Sequence, residues 1–314
     1  MTDTPWQDRL LARLVDHERD RGPAPREGLP SLPPRFRVVR EIARGGWGIV
    51  LEAHDAVLGR TVALKILPPD RVARLGDRFV NEAQVAARLE HPAIVPVYDL
   101  GRGPDGAWLC MRLVQGEPLS EVLERLAKGQ ALTCASWPLE RMVDAVLRVA
   151  EAVAYAHSQG VIHRDIKPGN VLTGRFGEVF LADFGLAKYL GERPEDAVEL
   201  SATHAGVVMG TPGFMPPEQF AGAPDLDAKV DVYALGALLY NVLTLTVPEL
   251  DPAQIVPPQR AAPPGRLVPE PLAAVAARCL EADPAARYPS VVELVDDLRA
   301  WREGRPLSVW EEPW

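Results

Sequence analysis

The sequence predicts an α+β fold of two unlike lobes, a small β-rich one followed by a larger helical one, with a ligand site in the cleft between them. Three observations carry this expectation. Residues 36–112 hold short apolar runs separated by turn signals, with one helical stretch among them. From Pro118 onward apolar residues recur at helical spacing instead. Groups suited to handling phosphate fall near the junction, where an architecture of this kind places its ligand.

The elements follow in order along the chain. Thr4-Pro5-Trp6-Gln7 reads as a helix start, with Thr4 as N-cap and Gln7 closing a capping box. Trp6, Leu10, Leu11, Leu14 and Val15 share one face of that helix, which should pack on the protein's own surface and end before Gly22. A Pro- and Gly-rich linker runs over 23–34. Strands are expected at 36–40, 49–53 and 61–67, the first two joined by a glycine-rich turn. A helix at 71–89 and strands at 94–98 and 108–112 complete the small lobe. Helices at 145–159, 230–245, 272–279 and 289–302 dominate the larger one. The division expected is therefore 1–34 for helix and linker, 35–302 for the domain, split near 113, and 303–314 for a tail. That tail carries Trp310 and Trp314, and its sequence does not fix whether it packs back on the domain.

Bulk properties exclude several classes. The chain has 314 residues, 47% hydrophobic and 25% charged, which suits a globular protein. A formal net charge of −9 argues against nucleic acid or an anionic membrane as the main partner. Cys110, Cys134 and Cys279 show neither a pairing pattern nor metal-ligand spacing, so a reducing cytoplasm is the expected compartment. The first residues lack the pattern of a signal peptide, and no apolar run approaches the ~20 residues that span a bilayer.

The densest chemistry is the run His163-Arg164-Asp165-Ile166-Lys167-Pro168-Gly169-Asn170, with Asp183-Phe184-Gly185 beginning thirteen positions after Asn170. An acid able to orient a hydroxyl shares a short loop with a lysine and an amide, and a second acid follows beyond apolar strands. That grouping suits transfer of a phosphoryl group from a metal-bound nucleotide, where catalysis is mostly positioning and charge neutralisation. It resembles the catalytic loop and metal-binding triplet of protein kinases. Further motifs arrive in the family's order: Ala43-Arg44-Gly45-Gly46-Trp47-Gly48-Ile49-Val50, Val62-Ala63-Leu64-Lys65, and Gly210-Thr211-Pro212-Gly213-Phe214-Met215-Pro216-Pro217-Glu218. Over about 36–302 the chain is similar to the eukaryotic-like, Hanks-type serine/threonine protein kinases of bacteria. Lys167 and the Gly210-Thr211 pair resemble the serine/threonine branch. Ala43 departs from the family's first loop glycine, and Pro216 stands where Ala or Ser is usual.

The resemblance implies a role for each matching residue. Ala43, Gly45, Gly46 and Gly48 would bring backbone N–H groups close to phosphate oxygens. Ala43 serves there if its φ is negative. Lys65 would reach the α- and β-phosphates, held by Glu82. Val50, Ala63 and Leu172 would sandwich the adenine, the backbone of Arg112 and Val114 would pair with its edge, and Met111 would stand at the back. Asp165 would orient the substrate hydroxyl, Lys167 would neutralise the γ-phosphate, and Asn170 and Asp183 would hold Mg²⁺, with Mn²⁺ as a substitute. His163 supports the loop from the core and is not a base. Arg164 would pair with a phosphate on the activation segment, where Thr203, then Ser201, are the expected autophosphorylation sites. Glu218 would pair with Arg287, and Asp231 would bond the catalytic-loop backbone. Thr211 would give structural support within the activation segment, which runs over 186–218.

The implied activity is transfer of the ATP γ-phosphate to serine or threonine of a protein, in a bacterial signalling pathway. ATP and Mg²⁺ are the implied cofactors; protein substrates and a homodimer for trans-autophosphorylation are the implied partners. Two other classes share these motifs: a pseudokinase scaffold, which Ala43 and a shortened docking region favour, and a small-molecule phosphotransferase, which Gly210-Thr211 and Pro217-Glu218 oppose. One departure concerns docking. Between Val247 and Pro271 the chain holds eight prolines, where the family places a further helix that docks substrates or partners. That helix is expected to be missing or cut to a turn, because proline removes the N–H a helix interior needs.

Overall fold

The computed structural model describes residues 31–45, 48–103, 106–189, 211–223 and 225–310. The chain separates into two compact units. One takes the chain up to Phe79 together with Val97–Leu113; the other takes Val80–Pro96 and everything from Val114 onward. The expected N-terminal helix, residues 23–30 of the linker, and Gly46, Trp47, Ser201, Thr203, Gly210 and Trp314 lie outside the described residues.

The smaller unit is built on a five-stranded antiparallel sheet: β1 (Phe36–Gly45), β2 (Gly48–Asp55), β3 (Arg60–Leu67), β4 (Val97–Gly103) and β5 (Gly106–Arg112). Their order across the sheet is β1-β2-β3-β5-β4. Alternation gives each strand two faces. Ile49, Leu51, Ala53, Val62, Leu64, Ile66, Trp108 and Cys110 close one of them with Phe36, and Leu32 of the linker packs against that cluster. Phe36 meets the Trp108 ring edge-on at 5.3 Å. Helix α1 (Pro69–Arg88) follows β3, opening with Pro in its first turn, where the N–H would be unused.

The expected strand at 94–98 divides in two. Ile94 forms an isolated parallel bridge with Leu181, and the Val95 N–H donates to the Leu181 carbonyl at 3.1 Å. The ladder of β4 begins only at Val97. Pro96 stands between them and has no N–H to continue a ladder.

The larger unit is mostly helical. Its elements include α2 (Leu119–Ala127), α3 (Ala131–Ser136), α4 (Leu139–Ser158), α5 (Pro217–Phe220), α6 (Lys229–Thr244), α7 (Pro258–Ala261), α8 (Glu270–Cys279) and α9 (Val291–Arg302). Every residue of α6 from Val230 to Thr244 is buried, which marks it as the unit's central helix. Gly236 lets α8 approach, since a Cβ there would strike Cys279. Three short strands, β6 (Gly116–Pro118), β8 (Val171–Gly174) and β9 (Val179–Leu181), form one small sheet; β7 (Val161–Ile162) and β10 (Lys188–Tyr189) form another. Helix α9 opens on a full capping box between Ser290 and Glu293.

The proline-rich stretch contains one 3₁₀ turn at Pro252–Gln254 and the four-residue α7, with no multi-turn helix between them. It is held by contacts other than helix packing. Ile255 and Ala261 lean on a cluster of Phe214, Tyr233, Ala237, Tyr240 and Leu280, and the Tyr240 hydroxyl donates to the Val256 carbonyl at 2.9 Å. The Arg266 guanidinium donates to the Val242 and Leu243 carbonyls, both at 2.7 Å, and so caps the C-terminus of α6. The described part of the tail packs back: the Ser308 N–H and hydroxyl both donate to the buried Asp297 carboxylate at 2.7 Å, which also accepts from Tyr288. Cys110, Cys134 and Cys279 are free thiols.

Candidate active site

In the smaller unit, strand register places the nucleotide-handling candidates. Val50 pairs with Lys65, Lys65 with Leu109, and Ala63 with Met111. Val50, Ala63 and Lys65 are flanked along their strands by members of the core cluster, and Met111 follows its member Cys110, so the four share the opposite face. Lys65 is nonetheless buried, at 8% exposure. Arg112 ends β5 and is exposed.

The glycine-rich turn closes on the pair Gly45–Gly48, with Ala43 opposite Val50. Gly48 has φ of 128°, and a Cβ there would collide with the Ile66 carbonyl oxygen, so no other residue fits. Ala43 is not among the positive-φ residues, which meets the condition for alanine at that position.

In the larger unit, β7 delivers the catalytic loop, a single 3₁₀ turn at Pro168–Asn170 closes it, and β8 carries Leu172 away. Here four candidates come together. The Lys167 ammonium donates to Asp165 Oδ2 at 2.7 Å and to Thr211 Oγ1 at 2.9 Å. Asn170 Nδ2 donates to the Asp165 carbonyl at 2.8 Å and to its Oδ2 at 3.1 Å. With its nitrogen committed, Asn170 offers its side-chain oxygen to a cation. The Ala182 N–H donates to the Asn170 carbonyl at 2.9 Å, which sets Asp183 alongside. An amide oxygen and a carboxylate are hard donors that fit a divalent cation sharing phosphate oxygens.

Asp183 has φ of 66°, the left-handed region that asparagine and aspartate tolerate better than most residues. Its Oδ1 accepts the Gly185 N–H at 3.3 Å. Gly185 is confined on two sides: a Cβ there would lie 2.9 Å from Asp183 Oδ1 and 3.1 Å from the Glu82 carboxylate. Glu82, buried at 6% exposure, therefore stands beside the Asp183-Phe184-Gly185 turn. Val114, which follows β5, and Glu82 both belong to this unit, Lys65 to the smaller one.

The loop is anchored from beneath by Asp231 in the first turn of α6, which has no exposed surface. Its Oδ2 accepts the His163 N–H and its Oδ1 the Arg164 N–H, both at 2.8 Å. His157 Nε2 meets Oδ2 at 2.7 Å. Burial alone would raise the Asp231 carboxyl, but the hydrogen bond and charge of His157, with His163, outweigh it and hold its pKa below 3.8. This anchoring keeps Arg164 at φ of 68°, a conformation that costs about 1–3 kcal/mol for a residue with a side chain.

His163 is wholly buried and rests on the Phe184 ring at 4.6 Å between centroids. Burial pushes its pKa down against the pull of Asp231, Asp165 and Asp183. The Asp165 N–H donates to its Nδ1 at 3.3 Å, which leaves the proton on Nε2, facing the Ala182 carbonyl at 3.3 Å. The ring is thus a neutral spacer between the catalytic loop and the Asp183 turn, in keeping with a supporting role. His157 was not singled out from the sequence. A basic residue in the last turn of α4 is common at any helix end, and only its distance to Asp231 reveals it.

Glu218, at the head of α5, receives two bonds from Arg287, at 2.7 and 3.0 Å. The same guanidinium donates to the Glu281, Lys229 and Ala282 carbonyls, so its fork is fully used. It lies 4.9 Å from the Tyr233 ring, whose hydroxyl burial pushes up to about 12. Pro216 caps α5 in an extended conformation that alanine or serine would also reach. Gly213, at φ of 85°, backs onto Val247 and Pro248.

A five-stranded antiparallel sheet with a following helix, and a helical unit holding an Asp–Lys–Asn loop beside an Asp-Phe-Gly turn, define the architecture of a protein phosphotransferase. The protein kinase domain model matches residues 36–297. The chain is 34% identical to the serine/threonine-protein kinase PknD of Protochlamydia amoebophila over 90% of its length, and 35% identical to PknD of Chlamydia pneumoniae over 87%. It spans 31% of the length of either relative. Among solved structures, the kinase domain of Mycobacterium tuberculosis PknI matches with a TM-score of 0.64 and 28% identity, over 86% of this chain and 97% of that one. The chain belongs to the protein kinase family and to its bacterial, Hanks-type serine/threonine group. Proteins of this family use ATP and a divalent metal. Among the described residues no helix is long and apolar enough to cross a membrane.

Proposed function

We propose that this domain, taken as residues 35–302, transfers the γ-phosphate of ATP to serine or threonine hydroxyls of protein substrates. The observation that carries this reading is the closed set of bonds joining Asp165, Lys167, Asn170 and Thr211. Asp165 accepts hydrogen bonds through its carboxylate and so can orient an incoming hydroxyl and take its proton. Lys167 is positioned to move from Thr211 to a phosphate oxygen while keeping Asp165. Asn170 and Asp183 would hold the cation, for which Mg²⁺ is the natural choice and Mn²⁺ a substitute. Bound Mg-ATP supplies the phosphoryl group with its charge partly neutralised. Lys65 would serve as the phosphate-binding lysine and Glu82 as its carboxylate support. Val50, Ala63, Met111, Arg112, Val114 and Leu172 would contact the base.

Arg164 is half-buried, burial lowers its pKa, and its Nε has no hydrogen-bond partner among the described residues. That suits a later partner carrying negative charge, and Thr203 and Ser201 are the candidates within the activation segment. Modification in trans between two copies, a role in signalling and a cytoplasmic site of action belong to the same reading. With the docking helix cut to a turn, substrate choice falls to other surfaces.

The test is incubation of the purified chain with Mg-ATP and casein, beside an Asp183→Asn control, read by intact mass and phosphosite mapping. Phosphate added to casein and to Thr203 or Ser201 by the wild type alone is expected. Phosphate on sugars or aminoglycosides and not on casein would favour a small-molecule phosphotransferase. Nucleotide binding without transfer to any acceptor would favour a scaffold.

A further inference from the structure

The glycine-rich turn has two stems, and they are held differently. On the Gly48 side, backbone packing against the Ile66 carbonyl fixes the chain. On the Gly45 side no atom of the described residues lies within 4 Å of where a Cβ would stand. The Gly45 carbonyl instead accepts a hydrogen bond from Arg71 Nη1 at 2.9 Å, across 26 positions of sequence. Arg71 sits in the first turn of α1. Its side chain is 33% exposed, and its approach to Asp70 is long, 3.8 Å, toward a carboxylate that is 75% exposed. The nearby cation on the loop itself, Arg44, is committed elsewhere: its Nε and Nη2 donate to Glu41 at 2.9 and 2.7 Å.

We infer that Arg71 is a positioning residue for nucleotide binding, acting through the Gly45 carbonyl. A carbonyl oxygen held by a side chain from α1 restrains the backbone of the Gly45 stem, from which the turn leaves the sheet. A glycine-rich turn binds phosphate through backbone N–H groups, and their prior alignment sets how much freedom must be lost on binding. Alanine at position 43 is in keeping with this, because the freedom of the first glycine is not needed where an arginine orients the stem. The inference rests on the kinase reading above for the identity of the ligand.

The experiment compares wild type, Arg71→Ala and Arg71→Lys in the full chain. Affinity for a non-hydrolysable ATP analogue with Mg²⁺ is measured by calorimetry, KM for ATP and kcat by transfer to casein, and folding by thermal melting. Arg71→Ala is expected to weaken analogue binding and raise KM for ATP by about three- to ten-fold, the loss of one charge-assisted hydrogen bond. Melting temperature and kcat should stay near wild type. Arg71→Lys, which can still donate to the carbonyl, should recover most of the affinity. Equal affinity in Arg71→Ala and wild type would overturn the inference, as would a fall in kcat and melting temperature with no change in KM. If the wild type binds the analogue but transfers no phosphate, the kinase reading fails while the affinity comparison still decides the role of Arg71. If the wild type binds no nucleotide, both fall.

Discussion

In the smaller unit, Val50, Ala63, Lys65 and Met111 reach a common face because strands alternate sides and the other side is sealed by core residues. In the larger unit, Asp165, Asn170 and Asp183 stand in irregular backbone with two left-handed residues, and bonds from distant side chains hold them there. A sheet face tolerates the loss of one side chain because the ladder continues on both sides. An irregular loop rests on a few buried polar groups, and removal of one leaves several partners unsatisfied. The glycine-rich turn combines both devices, with packing at Gly48 and a side-chain tether at Gly45.

The contrast can be sharpened by substitution. Its largest consequence is expected at Arg287, which has five bonds and almost no exposure. Arg287→Ala should lower stability by about 3–5 kcal/mol, since it breaks a largely buried ion pair and orphans three carbonyls. Urea unfolding gives the value, and a loss under 1 kcal/mol would mean that this network is not what ties α5 to the helical unit.

The next effect tests the two faces of β3 with neighbouring residues. Leu64→Ala on the core face should cost about 2–5 kcal/mol and leave nucleotide affinity close to wild type. Lys65→Met should abolish phosphate transfer and weaken nucleotide binding, because the charge removed is the one assigned to the phosphates. Weakened nucleotide binding in Leu64→Ala and not in Lys65→Met would contradict the assignment of faces.

The smallest effect is a pH dependence. The Asp231 carboxyl has a folded-state pKa below its ordinary 3.8, so the unfolded chain takes up its proton first as the pH falls. Its contribution to stability is complete above about pH 5 and declines as the pH drops through 3.8 toward the lower folded value. The slope from one such group is at most about 1.4 kcal/mol per pH unit. Asp231→Asn should be less stable at pH 7 and flatter below pH 4. Parallel profiles for the two proteins would assign the acid sensitivity to other carboxylates.

Much of the site is legible in the sequence because its chemistry is local. Asp165, Lys167 and Asn170 fall within six positions, and Asp183, Phe184 and Gly185 are consecutive, so spacing carries the role. Eight prolines between 247 and 271 likewise forecast the lost helix, which the structure replaces with two single turns. The strand expected at 94–98 misled because its apolar run is continuous; Pro96 was the available signal that it would break. His157 and Arg71 carried no such signal. Each acts on a group 74 or 26 positions away, and nothing in its own neighbourhood marks it.

The sequence by itself determined the fold class, the order of the main strands and longer helices, the identity of the chemical groups and the shortened docking region. These follow from alternation, helical spacing, proline and short motifs, all of which act over a few residues. Only the tertiary structure decided that His163 is a neutral spacer, that Asp231 is held ionised beneath the catalytic loop, and that Arg71 reaches the glycine-rich turn. Those outcomes depend on burial and on hydrogen bonds between distant positions, and a chain acquires both only once it has folded.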